Sequence, residues 1–361
     1  MRFERVQLLA GLGRVMPAAG KEQVKPVLGC VKITAVNGVV ELECTNQEQH
    51  IKFRFDAETG PGAFAALVNA ARLAEILRRS NCETVECQID GQTLTLIAGG
   101  GRFELPIQEL SAFPEMPEAS GTKAALNAVD LADAIASTIY ATAKDVARFS
   151  MMGVCVSGKD GVLDFVATDG RRLAKAKAVA GMIGADIDPI VVPGVAWRMC
   201  QHLSGTVQLV VSKRDLVVRD ESGFTLRTLL IDGKFPDYKA VIPKDKGKAW
   251  RGFMAQELAA CVRQAQVMVD RESMRLEVEF GATGPGGAAI LLGGKSASAG
   301  SSQITTYTDG DGTGVVNLNP NYLLEALDSL PDGEEVRFET RGNGPVTISA
   351  GNVYAMIMPQ T

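Results

Sequence analysis

The chain repeats itself, and the repeat constrains the fold more than any other feature. Three thirteen-residue segments at 68–80, 192–204 and 318–330 begin 124 and then 126 positions apart. Each carries apolar side chains three and four apart: Leu73, Ile76 and Leu77; Val195, Met199, Cys200 and Leu203; Leu323, Ala326, Leu327 and Leu330. That spacing predicts one apolar helix face per segment. Pro193 and Pro320 suit a first helical turn, where a missing N–H costs least. Three runs of period-two alternation follow each segment, from Thr84, Thr93 and Gly101, from Thr206, Asp215 and Phe224, and from Glu335, Pro345 and Val353. They predict half-buried antiparallel strands. A second helix family over 6–16, 130–140 and 256–267 recurs at about the same interval. The chain is thus read as α+β, three tandem domains at 1–120, 121–249 and 250–361, each of two helices on antiparallel sheets. The Gly/Ser-rich stretches between Gly281 and Ser302 read as loops. Duplication alone explains such a pattern. Similar modules joined end to end also make an arc, and two arcs can close head to tail into a ring.

Charge and composition narrow the function. The net charge of −5 is distributed as −3, +4 and −6 over the three thirds. An acidic chain does not coat nucleic acid indiscriminately, but the middle third leaves room for a local basic track. No run of about 18 apolar residues is present, so no membrane span is expected. The N-terminal segment reads as an amphipathic helix and not a signal peptide. The seven cysteines form no CxxC pair and are expected as free thiols in a reducing cytoplasm. With only His50 and His202, a zinc site or a histidine-dependent nucleophile is not expected. No phosphate-binding GxxxxGK[ST] motif appears, and Asp164 and Asp169 lack companions for carboxylate catalysis. No catalytic residue, metal or cofactor is assigned.

Two segments carry a resemblance. DFVATDGRRLA spans 164–174 and DGKFPDYKAVIPK spans 232–244. With the C-terminal VYAMIMPQT and three repeats, the chain resembles the bacterial sliding clamps, the beta subunits of DNA polymerase III, over its whole length. The resemblance implies a cytoplasmic, non-enzymatic homodimeric ring of six domains, with helices lining a central hole and sheets outside. It implies double-stranded DNA as a partner without sequence preference, an ATP-dependent clamp loader, and a replicative polymerase tethered through a hydrophobic groove.

Residues follow from that reading. Scattered basic side chains on the lining helices suit sliding, because strong phosphate contacts would halt it. Arg72, Lys144, Arg148 and Arg198 are the candidates, while Glu325 and Asp328 argue against a uniformly basic lining. The resemblance places Thr168, Gly170, Arg172, Leu173, Pro243, Met356, Met358 and Pro359 around the groove for leucine- and aromatic-anchored partner peptides. The alternative reading of Leu173 and the two methionines is core, since VYAMIMP is also a strand. By the same resemblance Phe103 and Leu105 meet Val267 and Met268 across the dimer interface. Departures are Arg171, a second positive charge beside Arg172, the polar end at Gln360–Thr361, and one extra residue in VARFSMMG from Val146, where the groove wall is left unassigned. The rival reading is a repeat scaffold that binds only proteins.

Overall fold

The computed structural model describes residues 1–21, 25–58, 62–284, 287–296, 300–330 and 333–360. Among these residues six α-helices occur: α1 (Arg5–Val15), α2 (Ala70–Arg79), α3 (Ala128–Ile139), α4 (Gly194–Arg198), α5 (Ala255–Gln266) and α6 (Pro320–Asp328). Their caps are local. The Asn69 side chain accepts the Arg72 N–H at 2.9 Å, and Asn319 does the same for Asn321 with Pro320 in the first turn. Leu73, Ala74 and Leu77 bury one face of α2, and Leu323, Ala326 and Leu327 one face of α6.

The fourth helix is shorter than its apolar spacing predicts. Val192 and Pro193 are taken by the strand Ile187–Pro193, and the chain turns after Arg198. Gly194 and Val195 are poor helix formers, so little propensity resists that strand pairing. Val195, expected on the buried stripe, is exposed, as is Val6 at the start of α1. The adjacent Trp197 is fully buried instead.

The chain forms two compact units, one of residues 1–129, 181–185 and 195–230, the other of 130–180, 186–194 and 231–361. Each holds one nine-stranded and one four-stranded antiparallel sheet. The nine-stranded sheets join strands from different thirds of the sequence. In the first unit Phe224–Leu229 pairs with Gln49–Asp56, Leu226 opposite Ile51. In the second, Arg172–Val179 pairs with Val353–Ile357, Leu173 opposite Met356. The middle third is shared between the units because its two halves each continue a neighbour's sheet.

The Gly/Ser-rich stretches expected as loops are strands. Leu276–Gly284, Gly287–Ser296 and Gly300–Thr308 form a meander; Pro285, Gly286 and residues 297–299 lie outside the described residues. The small residues have a steric cause at Gly294, where a Cβ would come within 2.4 Å of the Ala265 carbonyl oxygen and 2.7 Å of Ser302 Oγ. The end of α5 lies against the sheet there, and only glycine admits it.

Candidate functional site

The segment 168–172 is a tight hairpin turn held by its own side chains. Asp169 Oδ1 accepts the N–H groups of Arg171 and Arg172 at 2.9 and 3.0 Å. Thr168 Oγ1 donates to the Arg172 carbonyl at 2.6 Å and accepts the Gly170 N–H at 3.1 Å. Gly170 has φ +86°, which favours glycine. These bonds explain the T-D-G-x-R spacing in physical terms.

Arg172 ties this turn to two helices. Its side chain is 4 % exposed. Nε donates to Asp169 Oδ2 at 3.1 Å, Nη2 to the Tyr140 carbonyl at 2.7 Å beyond the end of α3, and Nη1 to Glu325 of α6. The guanidinium also lies 4.5 Å from the Tyr322 ring centre. With its nitrogens so engaged, Arg172 holds the wall in place and does not reach out to a peptide carbonyl. Asp164 and Asp169 are likewise occupied, the former by Lys175 at 3.0 Å and the latter by Arg172.

Beside the turn opens a groove of about 400 Å³ lined mostly by apolar side chains. Leu173 and Met356 form its floor and belong to a core cluster with Cys155, Val166, Val191 and Phe235. Met358 stands at the rim, 44 % exposed, its N–H donating to the Arg171 carbonyl at 2.8 Å. Thr168, Gly170 and Arg172 line it as expected from the sequence. Pro243 does not; Pro236 supplies the groove's proline, with Tyr238 and Val241. Phe235 is buried and Asp237 Oδ1 caps the short turn Tyr238–Ala240 at the Lys239 N–H, so the segment's first proline, not its last, faces the groove. Pro359 lies in an adjoining cavity with Arg171, Arg275 and Tyr322. Met151, in the segment whose wall position the sequence left unassigned, also lines the groove from the 3₁₀ segment Val146–Met151. The F-P-D-Y motif itself was the available signal for Pro236 and Tyr238.

The basic side chains divide into tethered and free. Arg14 donates to the His202 carbonyl and lies 5.1 Å from the Phe53 ring centre. Arg5 donates to the carbonyls of Cys82 and Leu77. Arg78 and Arg79 pair with Glu75, and Arg263 with Asp328. Arg148 is exposed, but its Nη1 donates to the Asp169 carbonyl. Among the described residues Arg72, Lys144 and Arg198 are exposed with no side-chain hydrogen bond or ion pair. Glu325 and Asp328, the two acids on α6, are each paired with an arginine.

The interface candidates differ in exposure. Val267 is 72 % exposed and Phe103 37 %, whereas Met268 is half-buried and Leu105 is only 5 % exposed. Phe103 and Leu105 lie on Gly101–Pro106, the edge strand of its four-stranded sheet. Leu105 is therefore covered within its own unit and supports that edge from beneath.

Elsewhere Glu43 is buried and accepts from His50 Nε2 at 3.0 Å, Lys32 at 3.0 Å and Lys52 at 3.1 Å. Burial alone would raise its pKa; hydrogen bonds from His50 and Lys32 and the Lys52 charge bring it down to about 2. The seven cysteines are free thiols, and burial raises the values of Cys44, Cys87, Cys155 and Cys200. Among the described residues no group of three or more His, Cys, Asp or Glu side chains could hold a metal ion. None of the described helices is long and apolar enough to cross a membrane.

Residues 1–117 match the family DNA polymerase III beta subunit, N-terminal domain, and residues 125–237 the corresponding central domain. A beta sliding clamp of Caulobacter vibrioides is 30 % identical over 262 residues, covering 69 % of this chain and 68 % of its own. One from Pseudomonas aeruginosa is 28 % identical over 279 residues, covering 75 % and 74 %. Among solved structures, a P. aeruginosa sliding clamp bound to griselimycin superposes with a TM-score of 0.90 at 22 % identity, covering 100 % of this chain and 99 % of its own. The Bacillus subtilis clamp does so with 0.89 at 20 %, covering 100 % and 98 %. Repeat, motifs, fold and relatives converge: the chain belongs to the bacterial DNA polymerase III beta subunit family, the beta sliding clamps.

Proposed function

We propose that two copies of this chain close head to tail into a ring around duplex DNA and tether a replicative polymerase through the groove at Leu173 and Met358. The protein is a DNA sliding clamp, a processivity factor of replication. In this reading the chain comprises clamp domains at 1–120, 121–249 and 250–361, works in the cytoplasm, carries no catalytic site, and is opened on DNA by an ATP-dependent loader. The observation that carries the tethering is the groove: exposed Met358 and Val241 stand over a floor of buried Leu173 and Met356. A rigid floor presents a defined surface, and a flexible thioether at the rim adapts to several partners. Burying one apolar anchor contributes roughly 1.5–3 kcal/mol. Two anchors, less ordering costs, support exchangeable binding.

The untethered cations Arg72, Lys144 and Arg198 support the DNA part. Diffuse contacts add salt-dependent affinity without stopping movement. The test is retention on circular against linear DNA after loading. A ring stays on closed circles and leaves free ends; a scaffold that binds only proteins is retained on neither. A companion binding measurement with a peptide carrying leucine and phenylalanine anchors tests the groove.

A further inference from the structure

We infer that the first unit carries a second copy of the groove's frame, closed to apolar-anchored peptides by a charge cluster of Lys32, Glu43, His50 and Arg227, which makes these four residues determinants of where a partner docks; this rests on the peptide-groove reading above. The correspondence begins at the turn. In residues 45–49, Thr45 Oγ1 donates to the Gln49 carbonyl at 2.8 Å and accepts the Gln47 N–H at 3.0 Å, as Thr168 does with Arg172 and Gly170. Asn46 Oδ1 accepts the N–H groups of Glu48 and Gln49 at 3.0 and 2.7 Å, as Asp169 does those of Arg171 and Arg172. Gln47 has φ +77° where Gly170 has +86°. Each turn leads into a strand that pairs with another third of the sequence, His50 opposite Arg227 and Leu173 opposite Met356. The exposed Leu229 donates its N–H to the Glu48 carbonyl at 2.9 Å, just as the exposed Met358 does to that of Arg171. F-P-E-M at 113–116 stands in the place of F-P-D-Y at 235–238, and both phenylalanines are buried.

The frame is shared, but its floor is not. The strand registers place Lys32, Glu43, His50 and Arg227 where the groove and the core beneath it have Cys155, Val166, Leu173 and Met356. These charges are satisfied within the unit. Buried Glu43 accepts from Lys32, Lys52 and the buried His50, and Arg227 Nε donates to Asp215 Oδ2 at 2.9 Å. Phe113 packs on the cluster, its ring centre 5.7 Å from that of His50 and 5.8 Å from Lys32 Nζ. An apolar anchor entering here would separate these groups from their partners. A buried polar or charged group left unpaired costs more than a buried apolar group of the same size returns. Leucine or phenylalanine therefore gains over Leu173 and Met356 and loses over His50 and Arg227. Two frames of one shape are told apart by the repulsive element built into one of them.

The test uses the full chain and a peptide with leucine and phenylalanine anchors, and reads stoichiometry by titration calorimetry. The native chain should bind about one peptide, and the triple variant Glu43→Val, His50→Leu and Arg227→Met about two. Replacing paired buried charges together by apolar groups of similar size is often neutral for folding. Asp215 keeps its bond from the Ser212 hydroxyl, and circular dichroism checks the fold. Truncating the triple variant after Ile357 should bring the number back to about one, because Leu229 still forms the rim of the new site. A folded triple variant that binds no second peptide overturns this inference and leaves the groove reading intact. A native chain that binds no peptide overturns both. A second arm does not depend on any variant: the same peptide carrying a photoreactive group should label the native chain around Tyr238 and Met358, and not within 110–119 or 226–230. Labelling of those two segments, or a second peptide on the native chain, overturns the inference.

Discussion

Each nitrogen of the Arg172 guanidinium ends on a different segment: its own turn, the carbonyl of Tyr140 and Glu325 of α6. Arg172→Ala would remove the side-chain donor to Asp169 Oδ2, to Glu325 and to the Tyr140 carbonyl. Loss of one partner from a buried pair costs about 3–5 kcal/mol; because Glu325 is itself partly exposed, about 2–4 kcal/mol is expected by urea unfolding. Arg172→Lys should recover little, since one ammonium cannot span three directions. Glu43 makes a separate prediction about pH. Its folded pKa of about 2 lies below the ordinary 4.5, so its contribution is complete above pH 4.5 and fades as pH falls towards 2. Glu43→Gln should flatten that acid limb in a pH series of thermal unfolding, leaving a shallower loss between pH 4.5 and 2 than in the native chain. At this scale the sequence named Arg172 and Leu173, which line the cavity beside the turn, and Pro243, which does not; Pro236 lines it instead. The two prolines are seven positions apart in one motif, and only the burial of Phe235 and the turn after it decide which faces the groove.

The strand Val353–Ile357 pairs on both sides, with Arg172–Val179 and with Val346–Ala350. It ends before Met358, so a chain truncated after Ile357 should keep the sheet and fold. The truncation removes the Met358 and Gln360 backbone bonds to Arg171 and Asn317 as well as the groove's rim. Peptide affinity should fall about tenfold or more, in line with the loss of one partly buried apolar anchor contact, with a loss of about 1–3 kcal/mol in unfolding free energy from the two hydrogen bonds. Unaltered peptide affinity would place the binding surface elsewhere. Periodicity located these strands well because alternation is local. It failed for the Gly-rich meander, where a close approach of α5 selects small residues and erases the apolar signal.

Across the whole molecule the expected assembly has twice the 38.3 kDa mass of the chain. Val267→Glu and Phe103→Glu place charges on exposed side chains and should halve the sedimentation mass without unfolding the protein. Leu105 is unsuitable for that test, because its burial would confound dissociation with misfolding. Replacing Arg72, Lys144 or Arg198 singly should weaken loading modestly, each lowering the salt dependence of retention by about one phosphate contact. A single replacement that abolished retention would instead point to a dedicated site and count against sliding.

The sequence by itself determined the triplication, all six helices and the strands that follow three of them, and the turn chemistry around Asp169 and Gly170. All of these are readable within a window of a few residues, because helical and strand periods and Asx-type turns are local. Tertiary structure decided which partners those elements found. It split the middle third between two sheets through pairings such as Leu173 with Met356, far apart in the chain. It shortened α4 by claiming Val192 and Pro193 for a strand. It also sorted the arginines, joining Arg172 to Glu325 and Arg263 to Asp328. A charge in a sequence carries no record of its partner; only the folded chain brings the two within reach.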